Sequence, residues 1–375
     1  MSAVFSEHLG YFALPGRHHS FSQAISNLLR AGDTVADLGC GFGVLGMLCL
    51  KAGAVHVWGI DASDAIEIAR ESIKRANLTQ RYTCIRGSTF DVDLPEKVDL
   101  LICDHVGYFG FDYGIIGMLA DARKRFLKPG GQILPRRIRL VMAGVESPAS
   151  REKADAWSDR KIPEEFRWLH ETGVNTKYAV NLNEPDICTR PIILGEIDFA
   201  VDSSKSLAFD VSLEALRDSR FDGIAGWFEC ELADGIWMNN SPLSSESIGR
   251  SQAFFPARVP FDITAGDQIA VTIRVRFDPQ IIAWTIKPPR GAPVQKLSTW
   301  ASTLLTDHDL SSEPAGAVSL NKIGDARHAL LSLVDGKHSA QEIEETLFEV
   351  RPFLFPTEAQ LRKFVARELA RNTRV

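Results

Sequence analysis

"ADLGCGFGVLG", residues 36–46, decides how the rest of the chain is read. An apolar run, "TVADLG" (34–39), enters it as a strand. "VLGMLCLKAG" (44–53) leaves it with apolar residues at helical spacing and stops at Gly53. Between them Gly39, Gly41 and Gly43 form a strand-to-helix turn where backbone can approach a ligand closely. Read as Gly41-x-Gly43-x-x-Gly46, the stretch also satisfies a dinucleotide fingerprint, so the glycines alone do not name the ligand. Two acids tilt the reading toward S-adenosylmethionine. Asp37 lies two residues before the first glycine, where a carboxylate can meet the cofactor's ammonium. Asp61 ends the next strand, "HVWGID" (56–61), where a carboxylate can chelate both ribose hydroxyls. NAD is the competing ligand, since Asp61 would serve its ribose equally well.

Outward from this turn, strand and helix signals alternate. "DAIEIARESIKRANL" (64–78) places Ile66, Ala69, Ile73 and Ala76 on one helical face, with Asp64 and Glu67 in capping-box positions. "RYTCIRG" (81–87) and "VDLLICD" (98–104) read as strands, and "GMLADARKRFLKPGG" (117–131) as a helix closed by Pro and Gly. Such alternation implies a parallel, doubly wound sheet. From about 190 to 286 the helical period gives way to short strands such as "GIAGWFECEL", "QAFFPARVPF" and "DQIAVTIRVRF", which implies an antiparallel barrel or sandwich. The charged stretch 151–173 reads as a helical link or cap. Near Pro314 a third region begins, with helices around Asp335-Gly336, a capping box at Ser339 and Glu342, and a last helix opened by Thr357 and Gln360. Its order of elements suggests a winged-helix type of module. The expected domains are therefore 1–135, 136–290 and 314–375.

Composition narrows the class. The 375 residues are 45% hydrophobic and 24% charged, ordinary for a globular protein, and the net charge of -6 argues against wholesale nucleic-acid binding. No apolar stretch is long enough to cross a bilayer, the N-terminus has no basic and apolar leader pattern, and six scattered cysteines form no CxxC pair. A cytoplasmic protein with reduced thiols is expected. Adjacent His18 and His19 point apart on a helix, so no metal site is expected.

Over residues 8 to 286 the sequence resembles the protein arginine methyltransferases. "VADLGCGFGVLGMLCLKAGAVHVWGIDAS" is similar to their first cofactor motifs, "IRGSTFDVDLPEKVDLLICD" to the next, and "GYFGFDYGIIGMLADARKRFLKPGGQILPRR" to their loop, helix and domain hinge. The resemblance implies a Rossmann-like domain, a β-barrel domain used for substrate and dimerisation, and S-adenosyl-L-methionine as cofactor. It implies cofactor contacts from Arg17, Asp37, Gly39, Gly41, Gly43, Asp61, Ala62, Gly87, Ser88, Thr89 and Asp104. Arg17 would pair with the methionine carboxylate in a charge-assisted fork. His8 also keeps register with a family histidine.

The acceptor end departs from the family. Its members clamp a substrate guanidinium between two glutamates; here the aligned residues in "CDHVGYFGFDYG" are Asp104 and Tyr113, and His105 replaces a tryptophan. The family's Thr-His-Trp corresponds to about Ile248-Gly249-Arg250, with no match. Catalysis is assigned to Asp104 as general base, His105 as its orienting partner and Tyr113, with Tyr108 and Asp112 shaping the pocket. Asp104→Asn would then stop turnover and spare cofactor affinity. The expected function is methyl transfer to a nitrogen or oxygen nucleophile of a small metabolite or biosynthetic peptide. The alternatives are an arginine N-methyltransferase with an unusual clamp and a catalytically silent assembly protein. A homodimer is expected, not held by the short arm-like stretch 173–198 alone. The C-terminal segment resembles the small helical domain that holds precursor peptides in pyrroloquinoline-quinone biosynthesis.

Overall fold

The alternating half becomes a five-stranded sheet in the computed structural model, which describes residues 2–304, 319–351, 354–355 and 357–373. Its strands are β1 (Thr34–Leu38), β2 (His56–Asp61), β3 (Tyr82–Arg86), β4 (Val98–Cys103) and β5 (Leu127–Leu134). They run parallel in the order β3-β2-β1-β4-β5. The order reverses beside β1, so the carboxyl ends of β1 and β4 flank the switch point where such sheets bind ligands. All five residues of β1 are buried, because helices cover both faces.

Those helices are α1 (Ser2–Phe12), α2 (Pro15–Leu28), α3 (Val44–Lys51), α4 (Ala65–Arg75) and α5 (Ile115–Arg125). On α2, Phe21, Ala24 and Ile25 are fully buried, at the spacing of one helical face. Two local expectations are corrected. Asp64 makes no capping bond at the start of α4; its carboxylate pairs with Arg86 at 2.5 Å instead. The helix expected over 117–131 ends at Arg125, and Lys128-Pro129-Gly130-Gly131 lies inside β5. The buried apolar pair Phe126-Leu127, only 2% and 9% exposed, marks the change from helix to strand.

The second half contains β6 (Arg137–Val145), β7 (Tyr178–Val180), β8 (Ile192–Asp198), β9 (Ser206–Glu214), β10 (Ser219–Ala233), β11 (Ile236–Asn239), β12 (Gln252–Ile263), β13 (Gln268–Phe277), β14 (Gln280–Lys287) and β15 (Gln295–Ser298). They form two antiparallel sheets, β7-β12-β10-β6-β8 with β11 on β10, and β15-β14-β13-β9. Where a barrel was one expectation, two sheets share an apolar interior: the Phe255 and Trp284 rings meet edge to face at 5.4 Å, and the Trp284 indole donates to Pro256 O. The stretch 151–173 is only partly helical, with α6 (Pro148–Asp155) and α7 (Leu169–Val174) at its ends. The arm-like stretch 173–198 does not project. Its β7 pairs with β12 and its β8 with β6, so sheet hydrogen bonding absorbs it.

Residues Met1–Leu304 form one compact unit and Leu305–Val375 another. The boundary expected at 135/136 therefore falls inside a continuous core. Phe109, from the loop after β4, lies on Gly226 of β10, where an added Cβ would sit 2.5 Å from its ring. In the second unit, helices Lys322–Leu331, Ala340–Val350 and Glu358–Asn372 pack around Leu330, Ile343, Leu347, Leu361 and Val365. The Ser339/Glu342 capping box forms as expected, and Thr357 caps the last helix by accepting from the Gln360 N–H. The described residues of this unit are built on these three helices and contain no strand. Residues 314–318 of the expected module lie outside the described residues.

Candidate active site

A cavity of about 290 Å³ opens over the carboxyl ends of β1 and β4. Its wall includes Asp37, Gly39, Gly41, Asp61, Asp104, His105 and Tyr113, together with Arg17 from α2. Eight of the expected site residues thus converge on one cavity. The backbone at Gly39 and Gly41 has φ of +64° and +54°. An added Cβ there would fall 2.2 Å from the His105 ring and 2.3 Å from the His8 ring, so only glycine fits.

The remaining expected contacts are placed elsewhere. Gly43 faces Tyr82 and Ala69 rather than the cavity. Ala62, Gly87, Ser88 and Thr89 do not line it. The loop after β3 makes bonds of its own: the Gly87 N–H donates to Asp61 O, Ser88 Oγ accepts from the Phe90 N–H, and Thr89 O accepts from Arg125.

Each acid has a distinct environment. Asp37 is 1% exposed; its Oδ2 accepts from the Gly46 N–H at 2.8 Å and from the Tyr82 hydroxyl at 3.3 Å. Burial raises its carboxyl to about 7 against the lowering pull of those donors. Tyr82 itself lies where Gly46 and Gly59 leave room, since a Cβ at either would come within 2.6 Å of its side chain. Asp61 anchors the glycine turn: Oδ2 accepts from the Gly41 N–H at 2.8 Å, and Oδ1 from the Ser63 N–H and hydroxyl.

Asp104 differs most from expectation. Arg17 Nε donates to its Oδ2 at 2.5 Å, Arg250 Nη2 to the same oxygen at 2.9 Å and Nη1 to Oδ1 at 3.3 Å. All three side chains are buried, at 9% exposure or less. Burial pushes the carboxyl up, but the two guanidinium charges win and hold it at about 2. A carboxylate so held is a poor proton acceptor at neutral pH, which corrects its assignment as general base. Its chemistry is that of a fixed anion.

Around it, the loop is locked by Asp112. This residue, 3% exposed, accepts the Tyr108 and Phe109 N–H groups at 2.8 and 2.9 Å and pairs with Lys177. Asp112 therefore ties the loop and does not face the cavity. Tyr113 follows with φ +56°, uncommon for an aromatic residue, and its half-exposed ring stands edge-on to His105 at 6.2 Å. Burial and neighbouring Tyr108 push its hydroxyl's pKa up, so it stays protonated.

Sequence reasoning passed over Tyr11, Phe42 and Arg250. Tyr11, on α1, lies under both guanidiniums, with Arg17 Cζ at 5.7 Å and Arg250 Cζ at 5.5 Å from its ring centroid. Phe42, inside the glycine turn, stacks on His8 at 4.0 Å. An aromatic amid glycines at 42 was a readable signal; Arg250 had none, because 146 residues separate it from Asp104.

These groups fit S-adenosylmethionine. A cation at Arg17 suits the methionine carboxylate, an anion at Asp37 its ammonium, and the acceptor pair at Asp61 the ribose diol. Bound there, the cofactor supplies a methyl group on a sulfonium. No helix among the described residues is long and apolar enough to cross a membrane, and no cluster of metal-ligating residues occurs among them.

Residues 35–131 match the family described as a methyltransferase domain. Protein arginine N-methyltransferase 1 of Schizosaccharomyces pombe is 28% identical over 246 residues, 64% of this chain and 72% of that protein. Its namesake in Saccharomyces cerevisiae is 35% identical over 203 residues, 52% of this chain and 57% of that protein. The chain spans 49% of a probable protein arginine N-methyltransferase 6 of Arabidopsis thaliana, so coverage of these relatives runs from about half to under three quarters. The Trypanosoma brucei PRMT1 enzyme-prozyme heterotetrameric complex with AdoHcy shares the fold, with a TM-score of 0.70 at 20% identity over 78% of this chain and 98% of that one. Glycine cradle, paired acids, covering arginine and these likenesses together identify the chain as a class I S-adenosylmethionine-dependent methyltransferase similar to the protein arginine methyltransferases.

Proposed function

We propose that this enzyme methylates a guanidino nitrogen of arginine in a protein or peptide. One observation carries the reading: at the cavity wall, Asp104 stays ionised and already holds a guanidinium by two nitrogens. The relatives described above, named as protein arginine N-methyltransferases, support the same acceptor. That support shifts the balance from the metabolite or biosynthetic-peptide acceptor first expected. In the transfer, a nitrogen lone pair forms the N–CH₃ bond as the C–S bond breaks. The electron pair stays on sulfur, leaving a neutral thioether, and the alkylated nitrogen loses a proton to solvent. Asp104 orients the acceptor; positioning does most of what such an in-line displacement needs. Tyr113 offers no second carboxylate, so the clamp has one anion.

The test is incubation of the full chain with S-adenosylmethionine and arginine-containing peptides, free arginine or lysine-containing controls, read by mass spectrometry. Methylarginine is the expected product. Cofactor binding without methylarginine from any arginine acceptor would sink this reading and favour a metabolite acceptor or a silent assembly protein.

We also propose a homodimer as the working assembly. Trp157, Phe166 and Trp168 lie between α6 and α7 with 39%, 52% and 55% of their surface exposed, a cluster of aromatics in the segment before the absorbed stretch 173–198. Exposed aromatic groups of this kind are typical of interface cores. Replacing Phe166 and Trp168 by Ser should weaken self-association at least tenfold in sedimentation equilibrium. A wild-type chain that stays monomeric at micromolar concentration would remove the proposal.

A further inference from the structure

The partner of Asp104 raises a question that the methyl-transfer chemistry leaves open: why does this carboxylate of the cavity wall hold Arg250, a guanidinium that does not itself line the cavity? Arg250 sits in the irregular segment between β11 and β12, directly after Gly249, whose φ is +74°. Its fork meets both Asp104 oxygens, at 3.3 and 2.9 Å, and only 6% of either side chain is exposed. Its third nitrogen donor, Nε–H, is buried with no hydrogen-bond partner among the described residues. A buried donor left unsatisfied carries a desolvation cost, so this seat is an imperfect one for Arg250.

Charge sharpens the point. Arg17 and Arg250 bring two positive charges to one carboxylate, so the buried cluster has a positive excess. A further guanidinium cannot join it without like-charge repulsion in a poorly screened interior. Arg17 has another partner available once a cofactor carboxylate arrives. Among the described residues, the Arg250 guanidinium is seen with Asp104 and the Tyr11 face.

We propose that Arg250 is the chain's own occupant of the guanidinium seat on Asp104, and that a guanidinium acceptor binds by displacing it. The acceptor's identity rests on the arginine reading above; the seat itself rests on the geometry of Arg250. Its neighbour Gly249 is loosely surrounded, since a Cβ built there meets nothing closer than Leu14 Cδ2 at 3.9 Å. The unpartnered Nε–H gains water when the side chain leaves. Arg250 thereby sets specificity, because only a ligand matching its fork and charge can take its place on the carboxylate.

The experiment compares full-length wild type with Arg250→Ala, both saturated with S-adenosylhomocysteine, by calorimetry against methylguanidinium and against a short arginine-containing peptide. Arg250→Ala keeps the Arg17–Asp104 pair, so it removes the charge excess rather than stranding a charge. Methylguanidinium should bind the variant in the low millimolar range and not the wild type. The peptide should bind the variant at least tenfold more tightly, with cofactor-product affinity changed less than twofold. If a folded variant takes neither probe better than wild type, the proposal is overturned. Should Arg250→Ala not fold, Arg250→Gln, which retains bulk without the charge, decides by the same measure. The two readings fail separately. Methylguanidinium uptake by the variant, with no arginine methylation by wild type, leaves the seat and removes the arginine acceptor. Arginine methylation by wild type, with no tighter binding in the variant, does the reverse.

Discussion

Asp104→Asn should destabilise the folded chain by roughly 3–5 kcal/mol, because it strips the anion from two buried guanidiniums. Arg17 and Arg250 would then face each other across a neutral amide, each with 9% or less of its side chain exposed. The expectation from sequence, lost turnover with cofactor affinity spared, does not survive this geometry. Arg17 is the group suited to the methionine carboxylate, and Asp104 is what positions its Nε. Cofactor affinity should fall along with stability. Linkage gives a second signature. The Asp104 carboxyl is held at about 2, below its ordinary value near 3.8, so its stabilising share is complete above that ordinary value and vanishes as pH falls through about 2. Chemical denaturation of wild type and variant at pH 7 and pH 3 measures both effects: the gap between them should narrow at the acid end. An Asp104→Asn variant as stable as wild type at pH 7 would show that the two arginines do not depend on this carboxylate.

S-Adenosylhomocysteine should bind about tenfold more tightly at pH 8 than at pH 6, with Asp37 as the titrating group. Burial raises that carboxyl to about 7, so at pH 6 it is mostly protonated and cannot ion-pair with the ligand's ammonium. Ionisation completes the pair as pH rises through 7. The sign for folding without ligand is opposite. Stability contributed by the protonated form is fully present below about 3.8 and is lost as pH rises through about 7. Calorimetry between pH 6 and 8 should show proton release on binding at the lower end. Asp37→Asn should flatten the profile and hold affinity near the low value. A persistent slope in that variant would remove Asp37 as the titrating group.

The cofactor end of this protein was readable one residue at a time. Asp37, Gly39 and Gly41 lie within a few positions of each other, and Asp61 is placed by the next strand of a parallel sheet. Local periodicity and a short βα turn therefore dictate where they meet. Arg17 came from the family resemblance alone, and the structure buries Phe21, Ala24 and Ile25 on the same helix, α2. Sequence alone thus determined the parallel sheet, the glycine turn and the cofactor class. What motif register does not record is the set of bonds that the loop after β3 makes with Asp61, Phe90 and Arg125.

The acceptor end was decided only by tertiary structure. "CDHVGYFGFDYG" presents two aspartates that look alike in sequence, yet one becomes a fixed anion at the cavity and the other a knot in the loop. Lys177 and the loop's own N–H groups claim Asp112, whereas Arg17 and Arg250 claim Asp104. What a carboxylate does depends on which charges the fold brings within a few ångströms and on how much water remains between them. Arg250 arrives from a segment 146 residues away, across the packing of β10 against the loop that carries Phe109. No periodicity or spacing records that meeting, because it is made by the closure of one core around two sheets.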